Sequence, residues 1–144
     1  MAPSDEAIIK DGTILTTQQV IHLRDAMTGP HPMHMPFMCY EPHNGFVFFD
    51  AKKKPVAYVE ICFDCLDYRA KPGGSSPPYD MVAFAKIFDE LKLPFGKYKG
   101  FDEFKQKYED GQKELEAWLK RNKDYKKEME EWLKRNKDSK RPAK

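Results

Sequence analysis

Three cysteines occur in the 144 residues, and all fall in one stretch, at Cys39, Cys62 and Cys65, with His43 following closely on the first. Thiolate and imidazole are the donors that borderline and soft metals prefer, and a Cys3His set suits tetrahedral Zn(II). Two residues separate Cys62 from Cys65, so a curled backbone can aim both sulfurs at one point. A zinc ion on Cys39, His43, Cys62 and Cys65 would bind only deprotonated thiols, which would make the fold sensitive to acid and chelators.

The same residues admit other chemistry. Cys62 and Cys65 could form a reversible disulfide, with Cys39 as a third or resolving thiol. Here the pair follows a strand rather than opening a helix, so no helix N-terminus stabilises the thiolate. Covalent catalysis would take Cys62 as nucleophile, His43 as base and Glu60 as its orienting partner, but no oxyanion donor can be named. The plain alternative makes the cysteines small buried hydrophobes and satisfies His43 against backbone. Upstream, His31, Met33, His34, Met35, Met38 and Cys39 have the donor types for Cu(I). They read better as a proline-rich loop whose methionines cover a sheet, because Met is a common gap filler. His22 reads as structural.

These residues need elements to position them. Phe46-Val47-Phe48-Phe49 and Val56 to Cys62 have the aromatic and β-branched content of two strands, joined at Ala51 to Lys54 as a hairpin. If the ladder sets Phe46 against Val59, its extension puts His43 opposite Cys62 and Cys39 near Leu66. Both hairpin faces are largely apolar, which predicts cover on both sides. Thr16 with Gln19 forms a capping-box pattern before a helix over 17–28. Arg69 to Pro78 reads as a loop, Asp80 caps a helix over 80–92, and a third helix is expected over 101–110. Asp110-Gly111 is expected to bend or break that helix before a long charged C-terminal one.

Within the tail, Trp118-Leu119-Lys120-Arg121-Asn122-Lys123-Asp124 recurs as Trp132-Leu133-Lys134-Arg135-Asn136-Lys137-Asp138. The period is two heptads. With Leu115 at position a, Met129 is also a and Trp118, Tyr125 and Trp132 are d, while Asn122 and Asn136 are polar a positions. Such a helix either packs on its own domain or presents Trp118, Tyr125, Met129 and Trp132 to a protein partner or a second copy.

The formal net charge of +2, with 33% charged residues, gives no strong field that would imply specific nucleic-acid binding. No apolar run reaches the length of a membrane span and no leader pattern opens the chain. A cytoplasmic location is the default expectation, with a periplasmic or secreted one if a leader has been removed.

The run Cys39-Tyr40, Pro42-His43, Phe46 and Phe48, then Glu60-Ile61-Cys62-Phe63-x-Cys65 resembles a motif of small bacterial cysteine-hairpin proteins, over roughly Cys39 to Leu93. The resemblance brings no activity with it and implies that Cys39, Cys62 and Cys65 act as a unit. The expectation is therefore an α+β domain over 1–110, a small antiparallel sheet around a central β-hairpin flanked by helices, and an internally repeated amphipathic helix over 111–144. Its expected function is that of a non-enzymatic binding module with a Cys/His cluster that holds a structural zinc. The rival is a thiol–disulfide redox protein using Cys62 and Cys65.

Overall fold

The computed structural model describes residues 12–28, 30–32, 35, 37, 39, 41–42, 44–73 and 79–137. Its elements run α1 (Thr17–Thr28), β1 (Asn44–Phe49), β2 (Pro55–Cys62), β3 (Asp67–Lys71), α2 (Met81–Glu90), α3 (Phe101–Arg121) and α4 (Lys123–Lys137). The three strands form one antiparallel sheet in the order β1-β2-β3, so the architecture is α+β.

Local chemistry sets the element ends. Gln19 N–H donates to Thr16 Oγ1 at 3.2 Å while Thr16 N–H donates to Gln19 Oε1 at 3.0 Å. This reciprocal cap satisfies two N–H groups that α1 leaves free. Asp80 caps α2 from one side, its carboxylate accepting from Ala83 N–H at 2.9 Å. At the β1–β2 turn Asp50 Oδ1 accepts from the amides of Lys52 and Lys54, and Lys53 takes the left-handed conformation, φ 63°.

Phe46 faces Val59 across the ladder, and a bulge between Phe48 and Phe49 shifts the turn-side register. Gly45 is required here, because a Cβ at that position would lie 2.3 Å from the Val59 carbonyl oxygen. One sheet face, carrying Phe46, Val59, Ile61 and Tyr68, packs on α2 and buries a cluster of rings. Phe63 sits at its centre, 4.9 Å from Phe88, 5.0 Å from Phe104 and 5.4 Å from Phe95 between centroids. The approaches to Phe88 and Phe104 are edge-on, which matches positive ring edges to negative faces.

Three expectations are corrected. The segment expected as loop from Arg69 begins inside β3, where Tyr68 and Ala70 turn inward while Arg69 and Lys71 stay exposed. The outer sheet face is open around Phe49 and Val56, which are 50% and 53% exposed; alternation marks both faces as apolar, and among the described residues no helix or strand covers the second there. Finally, α3 continues through Asp110-Gly111. A Cβ at Gly111 would meet nothing within 4 Å, so glycine there costs helix propensity, about 1 kcal/mol, without imposing a break. The break comes at Asn122. Its Nδ2 donates to the Trp118 carbonyl at 2.9 Å, closing α3, and its own carbonyl accepts from Lys126 N–H, opening α4.

Candidate functional site

At the end of β2, residues 63–66 turn the chain back into β3. Both cysteines of the Cys-x-x-Cys lie in this corner, and Cys39 reaches it from the proline-rich segment. Phe37 N–H donates to the Cys65 carbonyl at 2.7 Å, docking that segment on the turn. The sulfurs then meet: Cys62 Sγ is 2.7 Å from Cys65 Sγ, Cys65 Sγ is 3.1 Å from Cys39 Sγ, and Cys62 Sγ lies 3.8 Å from the Cys39 carbonyl oxygen. Cys65 is the middle sulfur. All three thiols are free; Cys39 is exposed, while Cys62 and Cys65 have 0% exposure.

The turn is fixed from several directions. Phe63 is anchored in the ring cluster. Asp64 Oδ1 accepts from Lys97 N–H at 3.2 Å, and Gly96, at φ 64°, leaves the space that this carboxylate occupies. Leu66, directly after Cys65, is left-handed at φ 52°, a conformation a non-glycine residue adopts only where its surroundings hold it there. Tyr79 Oη donates to the Leu66 carbonyl at 2.9 Å and lies 2.8 Å from Asp67 Oδ1. Burial, followed by that carboxylate contact, raises the Tyr79 hydroxyl above its ordinary range.

Burial pushes the Cys65 thiol up to about 12, and its contacts with the Cys62 and Cys39 thiols add to the shift, against the opposing backbone amide of Glu41. The middle thiol, Cys65, therefore holds its proton well above neutral pH. The sulfur spacing lies between two chemistries: a disulfide needs about 2.05 Å between sulfurs, and tetrahedral zinc with bonds of about 2.3 Å holds them about 3.8 Å apart. Among the described residues, no group of three or more His, Cys, Asp or Glu side chains has the arrangement to hold a metal ion. The sulfurs would have to part by about 1 Å to admit one.

Of the four expected ligands, Cys39, Cys62 and Cys65 are brought together, and His43 lies outside the described residues. Glu60 stands between Gly45 and Arg69 in the ladder, and Cys62 beside it has no exposed surface for a substrate to reach. In the histidine–methionine segment, His31 Nε2 donates to the Asp25 carbonyl at 2.7 Å and Nδ1 faces Asp80 at 3.9 Å. His31 thus bridges the α1 end and the α2 cap; Met33, His34 and Met38 lie outside the described residues. His22 pairs with Gln18 along α1. Sequence reasoning missed Asp64, Leu66 and Tyr79. Only Tyr79 carried a signal, as an aromatic with a polar tip beside a helix cap.

The repeated tail presents its aromatics outward, with Trp118, Tyr125 and Trp132 39%, 41% and 47% exposed and Met129 half-buried. Trp118 and Tyr125 meet edge-to-face at 4.9 Å across the Asn122 break. No helix among the described residues is long and apolar enough to cross a membrane. Fold and site together define an α+β protein with a buttressed three-thiol corner and an exposed aromatic helix. No protein-family model, curated protein or solved structure matches the chain.

Proposed function

We propose that the protein is a non-enzymatic binding module whose Cys39–Cys62–Cys65 corner holds a structural zinc ion. The observation that carries this reading is the convergence of three sulfurs, one brought 23 residues from the nearer of the other two, on a turn held by Phe63, Asp64 and Tyr79. The corner gathers soft donors of the kind a closed structural site uses, and ligation would draw their sulfurs about 1 Å further apart around the ion. His43, one residue before β1, is the fourth ligand of this reading. Leu66 supports it too, since its left-handed backbone lets the chain curl around the Cys62–Cys65 pair. Bound there, the ion would pin the proline-rich segment to the sheet corner.

The aromatic stripe of Trp118, Tyr125, Met129 and Trp132 is the contact face of the module. The reading groups the chain with the cysteine-hairpin proteins its motif resembles and suits a reducing compartment such as the cytoplasm, where free thiols persist. Thiol–disulfide exchange is the rival, favoured by the 2.7 Å Cys62–Cys65 contact and opposed by the complete burial of both thiols, because exchange needs an accessible thiolate.

Metal analysis separates the two. Protein purified without added metal should carry about one equivalent of zinc, and cobalt exchanged into it should show thiolate-to-metal charge transfer with tetrahedral ligand-field bands. Metal-free protein that takes up no cobalt, with a Cys62–Cys65 bond that forms and reduces reversibly, would overturn the zinc reading in favour of exchange.

A further inference from the structure

We propose that α4 pairs antiparallel with the α4 of a second copy of this chain, in a register that sets Met129 against Trp132 of the other copy. The inference deepens the contact-face reading of the stripe above and rests on it.

A helix of 15 residues is marginal in water without packing, and α4 keeps Tyr125 and Trp132 41% and 47% exposed. Within the chain α4 meets α3 at the Asn122 break, where Trp118 touches Tyr125, and the partly exposed seam of α4 is the face offered to an occupant. The flanking charges select which one. In the heptad frame Lys126 and Leu133 are e positions, and Glu128 and Arg135 are g positions.

When two helices cross antiparallel, g residues face g residues of the partner; when they run parallel, g faces e. The antiparallel arrangement with Met129 opposite Trp132 places Glu128 of each copy beside Arg135 of the other, giving two opposite-charge pairs related by a two-fold axis. Sliding one helix by a heptad, so that Met129 meets Tyr125, sets Glu128 against its own symmetry mate. A parallel pair matches Glu128 with apolar Leu133, so it forms no opposite-charge pair within α4. Charge complementarity therefore singles out one orientation and one register, and the two-fold axis closes the assembly at two copies. The core of the seam is a methionine sulfur on an indole, repeated twice. Two helices of about four turns cover an interface at or below the roughly 1,200 Å² that marks the low end of stable complexes. The dimer is accordingly weak and concentration-dependent.

Sedimentation velocity of the full chain over a concentration series tests this. The expected result is a reversible monomer–dimer equilibrium whose dissociation constant rises roughly tenfold with Glu128→Arg and similarly with Arg135→Glu. Each reversal turns two attractions into two repulsions, and the combined Glu128→Arg/Arg135→Glu variant should return association to near the parent value. Both side chains lie on an exposed helix face, and circular dichroism of each variant verifies the fold. A monomer at every concentration overturns the second copy as occupant, while leaving the stripe as a contact face for a different protein. A dimer indifferent to both reversals and to Trp132→Ala overturns the α4 assignment and, with it, the contact-face reading.

Discussion

Phe63 and Trp132 are both large aromatics beside charged residues, yet Phe63 keeps 3% of its surface exposed and Trp132 keeps 47%. Around Phe63 the chain supplies rings from four other places, Phe46, Phe88, Phe95 and Phe104, linked by contacts of 4.9 to 5.5 Å. Trp132 lies on a charged helix and keeps about half of its surface in water. The first region holds itself together by burial, whereas the second is organised locally and presents what it has to the outside. Breaking each region should therefore leave different signatures.

The largest effect is expected at Phe88, whose ring contacts Phe46, Phe63 and Phe95. Phe88→Ala should cost about 3–5 kcal/mol, a large share of the roughly 5–15 kcal/mol typical of a domain. Urea denaturation followed by near-UV circular dichroism checks this; a loss under 1 kcal/mol would mean that the ring cluster is not where the stability resides.

Metal removal comes next and tests the thiol corner. At a hundredfold excess of free zinc over its dissociation constant, binding to the folded state alone adds about 3 kcal/mol. A chelator should lower the melting temperature of the parent and leave Cys62→Ser unmoved. The pH dependence should also change direction between the two forms. Metal-free, Cys65 and Tyr108 keep their protons up to about 12 in the folded chain, each chiefly through burial. The unfolded chain releases those protons first, from ordinary values of 9.0 and 10.0, so stability falls as pH rises from about 9 towards 12. Metal-loaded, the thiolates are ligands and protonation expels the ion, so stability falls as pH drops. Identical pH profiles with and without zinc would argue against ligation at this corner.

How far these two regions could be read from the sequence follows from how local their determinants are. The capping pair Thr16 and Gln19, the Asp80 cap and the Phe46–Val59 register depend on near neighbours or on strict alternation, and each appears where residue chemistry places it. Extending that register predicts Cys39 near Leu66, whereas the contact that brings Cys39 to Cys65 is the docking of Phe37 on the Cys65 carbonyl, outside the named strands. Strand β3 was hidden because its inward residues, Tyr68 and Ala70, are only two and merge into a proline- and glycine-rich run. In the two-heptad repeat Asn122 falls at a coiled-coil a position. Its side chain instead bonds backward to Trp118, the competition that short amides offer to a helix interior. Asp64, Leu66 and Tyr79 act through contacts 12 or more residues away, or through backbone conformation, which no spacing rule encodes.

Asp80 offers a middle-sized test of the folded region. Asp80→Ala removes the acceptor for Ala83 N–H and should cost about 1 kcal/mol, read as a lower urea midpoint with an unchanged slope; Asp80→Asn, which keeps an acceptor, should recover most of it.

The smallest effect is expected where the aromatic is most conspicuous. Trp132→Ala, measured in solution dilute enough to keep the chain monomeric, should change stability by no more than about 0.5 kcal/mol. An indole already half in water has little transfer free energy left to lose, and its removal opens no cavity in the ring cluster around Phe63. At high concentration the same substitution should matter, because the surface it deletes is then covered by another molecule. A loss of several kcal/mol in the dilute monomer would mean that Trp132 packs on its own domain, and the contrast between a self-burying corner and an outward-facing helix would no longer hold.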